Sequence, residues 1–192
     1  MSTKLSSNGT PLSVGVIGSR SLPYTLGEKV GDVTEDLIAR KYHIATGGAM
    51  GADQFVVQRL LRSGQSTRGT IYTPWANYGG FPVKTRAMTR QFKDQGGHLL
   101  WGPVAKGTPK HMVKTGLLIR NKRLVEASHG LVAFIDGNSR GSIFTIKEAV
   151  KKRLIVVVFP HNCEPPEIGC VRWHELRCGG CWDGAFKAVY VK

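Results

Sequence analysis

Three glycine-bearing turns constrain this chain more than anything else in it. Val16-Ile17-Gly18-Ser19-Arg20, Thr46-Gly47-Gly48-Ala49-Met50-Gly51-Ala52-Asp53 and Asn138-Ser139-Arg140-Gly141-Ser142 each follow an apolar run and each open a segment of helical character. Strand, glycine turn, helix is how α/β proteins aim backbone N–H groups and helix N-termini at phosphate. A single such turn carries little weight, because glycine also closes βα loops in sheets that bind nothing. Three of them in 192 residues point to a phosphate-binding α/β fold.

The apolar spacing predicts strands over 12–17, 42–45, 70–73 and 98–101, alternating with helices over 25–41, 52–63, 83–95 and 110–127. Thr25 and Glu28 have the spacing of a capping box, and Phe55, Val56, Leu60 and Leu61 supply an apolar stripe to the second helix. Residues 130–135, 142–152 and 154–159 form the clearest strand, helix, strand unit. The last is a continuous apolar run of the kind found at the centre of a parallel sheet. The expected fold is a Rossmann-like three-layer α/β sandwich with a mostly parallel sheet and a short Cys-containing C-terminal extension. Residues 1–11 read as a polar, flexible leader, 12–160 as the main domain, and 161–192 as a tail packed on it, its alternating Phe186, Ala188 and Tyr190 forming a final strand.

Charge narrows the partner. The chain carries a formal +14, and between residues 54 and 125 thirteen Lys or Arg face a single acid, Asp94. A field so lopsided favours a polyanion, nucleic acid before an anionic membrane surface, although a face made basic for solubility is the competing reading. Within it Lys84, Arg86, Arg90 and Lys93 share the basic helix over 83–95 and are the candidate nucleic-acid surface. Tyr72, Trp75, Tyr78 and Phe81 stand beside it, as stacking platforms or as core under a Gly-Pro-rich loop. The first ten residues are polar, without the apolar core of a secretory signal, and the 154–159 run is far too short to cross a bilayer, so a cytoplasmic protein without a transmembrane segment is expected.

Four motifs in order carry a family resemblance: Val14-Gly15-Val16-Ile17-Gly18-Ser19-Arg20, the Thr46 to Asp53 turn, Ile119-Arg120-Asn121-Lys122-Arg123, and Gly141-Ser142-Ile143-Phe144-Thr145. Over about residues 12–160 the chain resembles the SLOG superfamily, a Rossmann-like group that includes the DNA-processing protein DprA (Smf) and the Lonely Guy phosphoribohydrolases. The Gly-Ser-x-x-Thr turn and the Arg120-Asn121 pair are similar to the DprA-like branch. That resemblance implies a binding protein that holds nucleotide or nucleic acid, single-stranded DNA above all, by its phosphates, and it leans towards a homodimer. The alternative is a nucleotide-processing N-glycosidic hydrolase like Lonely Guy. Those enzymes carry a catalytic Glu where this chain has Thr145, which cannot ionise to manage charge as a glycosidic bond breaks.

The expected phosphate or ligand contacts are Gly18, Ser19, Arg20, Gly47, Gly48, Gly51, Asp53, Arg120, Asn121, Ser139, Arg140, Gly141, Ser142 and Thr145. Several have structural rivals. Gly18 and Gly48 could simply relieve crowding where helix meets strand. Asp53 could be a helix cap instead of a ribose or metal contact, and Arg120, among Leu117, Leu118 and Ile119, a core-edge ion pair instead of a phosphate ligand. No nucleophile and base pair can be read from the row, so catalytic residues stay unassigned.

All four cysteines lie in the tail, as Cys163-x6-Cys170-x7-Cys178-x2-Cys181. Four thiolates can close a tetrahedral structural zinc site and stabilise a segment too short for its own core. Only one C-x-x-C knuckle is present, so free thiols or a redox pair at 178 and 181 stand beside zinc as readings.

Overall fold

The computed structural model describes residues 11–191, so the predicted leader lies almost wholly outside the described residues. Eight strands form one sheet in the order β4-β3-β2-β1-β5-β6-β8-β7. The first six are parallel: β1 (Ser13–Gly18), β2 (His43–Thr46), β3 (Gly69–Tyr72), β4 (His98–Leu100), β5 (Gly130–Asp136) and β6 (Ile155–His161). Between them run α1 (Tyr24–Ala39), α2 (Ala52–Arg62), α3 (Val83–Asp94), α4 (Lys110–Glu126) and α5 (Arg140–Lys151). This is the Rossmann-like arrangement expected.

The alternation of strand side chains divides the core into two layers. Val16, Ile44, Phe134 and Phe159 point to the layer closed by α1 and α2, whose Val30, Val33, Val56 and Leu60 are fully buried. Ile17, Ala45, Ala133 and Val158 point the other way, to Leu124 of α4 and Ile146 and Val150 of α5. Phe134 and Phe159 stack at 4.5 Å between centroids, which ties β5 to β6 on the α1 side.

The predicted capping box does not form. α1 starts one residue early, at Tyr24, with Pro23 as an extended N-cap (φ −60, ψ 149) and no side-chain cap, so Thr25 already sits inside the first turn. Pro82 and Pro109 open α3 and α4 in the same way. Proline needs no hydrogen-bond partner at a helix entrance and presets φ there.

The tail does more than pack on the sheet. β8 (Phe186–Tyr190) pairs antiparallel with β6, and β7 (Val171–Glu175) with β8, so this segment extends the sheet and covers its β6 edge. Sequence patterning missed β7 because its exposed Arg172, His174 and Glu175 leave too little apolar alternation to find an edge strand. Trp182 clamps the tail to α1, donating from Nε1 to Asp36 Oδ2 at 2.8 Å.

Candidate functional site

The strand order creates the site. From β1 the chain steps outward through β2, β3 and β4, then returns to lay β5 on the other flank of β1, with Val14 opposite Gly130. Where the winding reverses, the loops at the C-terminal ends of β1 and β5 diverge and leave a crevice, the usual ligand position in an open α/β sheet. Here it has a volume of about 420 Å³. Eleven of the predicted ligand residues line it: Gly18, Ser19, Arg20, Asp53, Arg120, Asn121, Ser139, Arg140, Gly141, Ser142 and Thr145.

Gly47, Gly48 and Gly51 do not line it, and their glycine character has other causes. Gly51 has φ +76, and a Cβ there would strike the carbonyl oxygens of Ser19 and Arg20, so it lets the second turn pack beneath the first. A Cβ at Gly47 would occupy the place of the Arg120 guanidinium, and one at Gly48 would press on Ile71. These three build the wall without facing the cavity.

Ser19 joins the two strand ends. Its N–H donates to Phe134 O and its Oγ accepts from the Asp136 N–H, both at 2.8 Å. The buried hydroxyl still has its own proton to donate into the crevice.

Both rival readings of Arg120 leave a trace. Its Nη1 stands 3.4 Å from Asp53 Oδ2, with both side chains buried, and Asp53 Oδ2 also accepts the Ala49 N–H at 3.1 Å. Burial pushes the Asp53 carboxyl up, opposed by the Arg120 charge, and pulls the Arg120 guanidinium down. Arg120 also lines the crevice, and its Nε is buried with no hydrogen-bond partner among the described residues. A buried donor left unpaired is costly.

The α5 N-terminus is open. Ser139, its N-cap, makes no side-chain hydrogen bond to the backbone and instead meets Ser142 Oγ at 2.9 Å. The first turn holds no acid, and nothing lies within 4 Å of the position a Cβ on Gly141 would take. The positive end of the helix dipole therefore faces the crevice, with exposed Arg20 and Arg140 on its lining. Thr145 plays a different part. It donates to Gly141 O and accepts from Asn121 Nδ2, both at 2.8 Å, pinning α4 to α5. No carboxylate on α5 replaces the hydrolase Glu, since Glu148 pairs with Lys151 at 2.7 Å and lies outside the crevice lining.

Sequence reasoning missed Lys114, Asp136 and Asn138, which also line the crevice. Lys114, Leu117 and Asn121 are spaced i, i+3, i+7 on α4, a signal that could have found the lysine once Asn121 was chosen. Asp136 ends the buried strand β5, the position where α/β sites gather.

The candidate nucleic-acid surface divides. Lys84, Arg90 and Lys93 are exposed on α3, away from the crevice. Arg86 is half-buried and donates to Phe81 O at 3.1 Å, so it braces the preceding loop. The aromatics pack on themselves: Tyr78 meets Trp101 edge-on at 4.9 Å, Phe81 is buried, and Arg90 covers the Tyr78 ring. Tyr72 and Phe81 are core, whereas Trp75 and Tyr78 are half-buried.

The four cysteines are not brought together. Cys163 packs against the α4–α5 layer, Cys181 against the α1–α2 layer on the opposite face of the sheet, and Cys170 and Cys178 are exposed. Among the described residues no group of three or more Cys, His, Asp or Glu is placed to hold a metal ion. The cause is the tail's incorporation into the sheet, which sends successive turns to different faces.

A family model for DNA recombination-mediator protein A matches residues 4–178. The chain belongs to that family. No curated protein sequence matches it. Among solved structures, DNA processing protein A from Helicobacter pylori, described for its single-stranded DNA binding mode, superposes with a TM-score of 0.66 at 21% identity, over 79% of this chain and 66% of that one. DNA processing protein A (DprA) from Streptococcus pneumoniae gives 0.58 at 22% identity, over 76% of this chain and 49% of that one. The chain thus spans between half and two thirds of these DprA proteins, and at such identities the likeness is one of fold. No described helix is long and apolar enough to cross a membrane.

Proposed function

We propose that the crevice between β1 and β5 binds the phosphates of a nucleic acid strand, single-stranded DNA in first place, and that this chain is a binding protein, not a hydrolase. The observation that carries the reading is the uncapped, acid-free N-terminus of α5 opening into a cavity lined by Arg20, Lys114, Arg120 and Arg140. Helix-terminal N–H groups and guanidinium forks suit phosphate oxygens whatever the base sequence. Membership of a recombination-mediator family and the single-stranded DNA binding described for the Helicobacter pylori protein support the same ligand class. The exposed Lys84, Arg90 and Lys93 extend the positive field and serve encounter, and a homodimer would double the footprint.

The test is binding of a labelled oligonucleotide over a salt series. Affinity should fall steeply with salt, and Arg20→Ala, Lys114→Ala and Arg140→Ala should each weaken binding and flatten the slope while leaving the melting transition in place. Normal binding by all three would remove the crevice as the footprint. A free mononucleotide that protects the protein while no oligonucleotide binds would favour a nucleotide-sensing role for the same site.

A further inference from the structure

The two flanks of α2 are treated differently. On one, Arg59 is held by Asp32 and Glu35 of α1, so that seam is closed by ion pairs. On the other, between α2 and α3, lies an open groove of about 350 Å³ in which Gln54, Gln58 and Arg62 of α2 face Lys84, Met88 and Gln91 of α3. No Asp or Glu lines it. Neither Arg62 nor Lys84 forms an ion pair with a described residue. Both rows have the i, i+3 and i+4 spacing that keeps side chains on one helix face, so the groove runs along the two helices. From Gln54 to Arg62 it extends about 12 Å, at a helical rise of about 1.5 Å per residue.

The groove begins where the crevice ends. Asp53 lines the crevice and Gln54 the groove, consecutive residues in the first turn of α2. α2 and α3 both follow parallel strands, so their N-terminal ends lie on the crevice side of the sheet, and exposed Lys84 stands at that end of α3. A strand backbone is a row of phosphates, and unpaired cations among neutral donors suit it, with no acid between them. Arg62 and Lys84 supply the charge, and the three glutamine amides supply N–H donors that accept any base sequence. We propose that the strand held at the crevice passes over the α2 N-terminus and continues into the α2–α3 groove, where Lys84 and Arg62 each hold a phosphate. At a stacked spacing of about 3.4 Å, the groove takes about three nucleotides. The inference rests on the phosphate reading above and adds a direction to it, from the crevice towards α3.

The experiment measures anisotropy of the full chain with labelled all-thymine strands of about 4 and about 12 nucleotides over a salt series. The slope of log affinity against log salt counts the phosphates held, and the extra registers of a longer strand do not inflate it. The longer strand should show the steeper slope, by about 1.4, or about 0.7 for each of Lys84 and Arg62. Arg62→Gln should remove about 0.7 from the longer strand's slope and leave the shorter strand's unchanged. Gln58→Glu should do the same, because its carboxylate stands four residues before Arg62 and takes the guanidinium in a pair that supports the helix. Lys152→Gln, which removes an exposed charge at the far end of α5, should change neither slope. Equal slopes for the two strands overturn the proposal and leave the crevice standing. So does a longer-strand slope that survives both α2 variants, which would leave the groove to an acidic protein segment. A slope that falls as much with Lys152→Gln also overturns it, since Arg62 would then act only through a diffuse field. Where the shorter strand is too weak to titrate, the longer strand's slopes in wild type and variants decide alone. Failure of every strand to bind overturns both readings.

Discussion

Arg120 is the position where stability and binding can be separated. With Nη1 3.4 Å from Asp53 Oδ2, the attraction amounts to about 5 kcal/mol at an effective dielectric constant of about 20. Removing the guanidinium strands the Asp53 carboxylate in a buried site, for which losses of about 3–5 kcal/mol are usual. Arg120→Met should therefore cost about 3–5 kcal/mol in urea unfolding, a large part of a domain's typical stability of about 5–15 kcal/mol. Asp53→Asn added to Arg120→Met should recover much of that loss, because the unpaired charge is gone. The loss should also depend on pH. Asp53 is already raised by burial, and without the guanidinium it rises further, so the folded state holds its proton to higher pH than the unfolded state does. Stability of the variant then falls as pH climbs from about 4 towards the raised folded value, and the gap to wild type is small near pH 4 and full at neutrality. A gap under about 1 kcal/mol at neutral pH, or one that ignores both pH and the second substitution, would refute this account of a buried pair.

Substituting Lys84 and Lys93 together by Gln should weaken oligonucleotide association and its salt dependence without moving the melting transition, whereas Arg86→Gln should cost about 1–3 kcal/mol in thermal or urea unfolding, because it unpairs the Phe81 carbonyl. Gly51→Ala should destabilise by about 1–3 kcal/mol in urea unfolding, since φ +76 and the Ser19 and Arg20 carbonyls both reject a Cβ, and an unchanged midpoint would mean the turn relaxes freely. Metal analysis of protein purified without chelator should find well under one zinc per chain; a stoichiometric amount would mean that the tail adopts another conformation with its thiols gathered.

The glycine turns made the switch-point crevice legible from the residues alone, because a strand, glycine, helix junction has few geometries and each holds phosphate-suited donors. Residues 154–159 announced a central strand for the same reason: only a strand buried on both faces needs so continuous an apolar run. Other features depended on partners distant in sequence. The role of Gly47 follows from Arg120, far along the chain, and Thr145 looks like a ligand residue until Asn121 is seen to occupy its hydroxyl. Arg86 and Lys84 are alike in a charge count but differ in what their side chains meet. The four cysteines are near in sequence but not in space, because β7 and β8 turn the tail through the sheet.

The pairing of β1 with β5 also sets the sequence separation that folding must close. β1 to β4 can zip together through nearby partners, but Val14 meets Gly130 only after the intervening chain has been brought back around, a closure of the slow, non-local kind. The crevice lies on that seam, its walls contributed by segments far apart in sequence. A nucleic acid strand held there would bridge the two halves and stabilise only the fully closed chain, by an amount that grows with the logarithm of its concentration over Kd. Protection from proteolysis by added oligonucleotide thus doubles as a readout of completed folding.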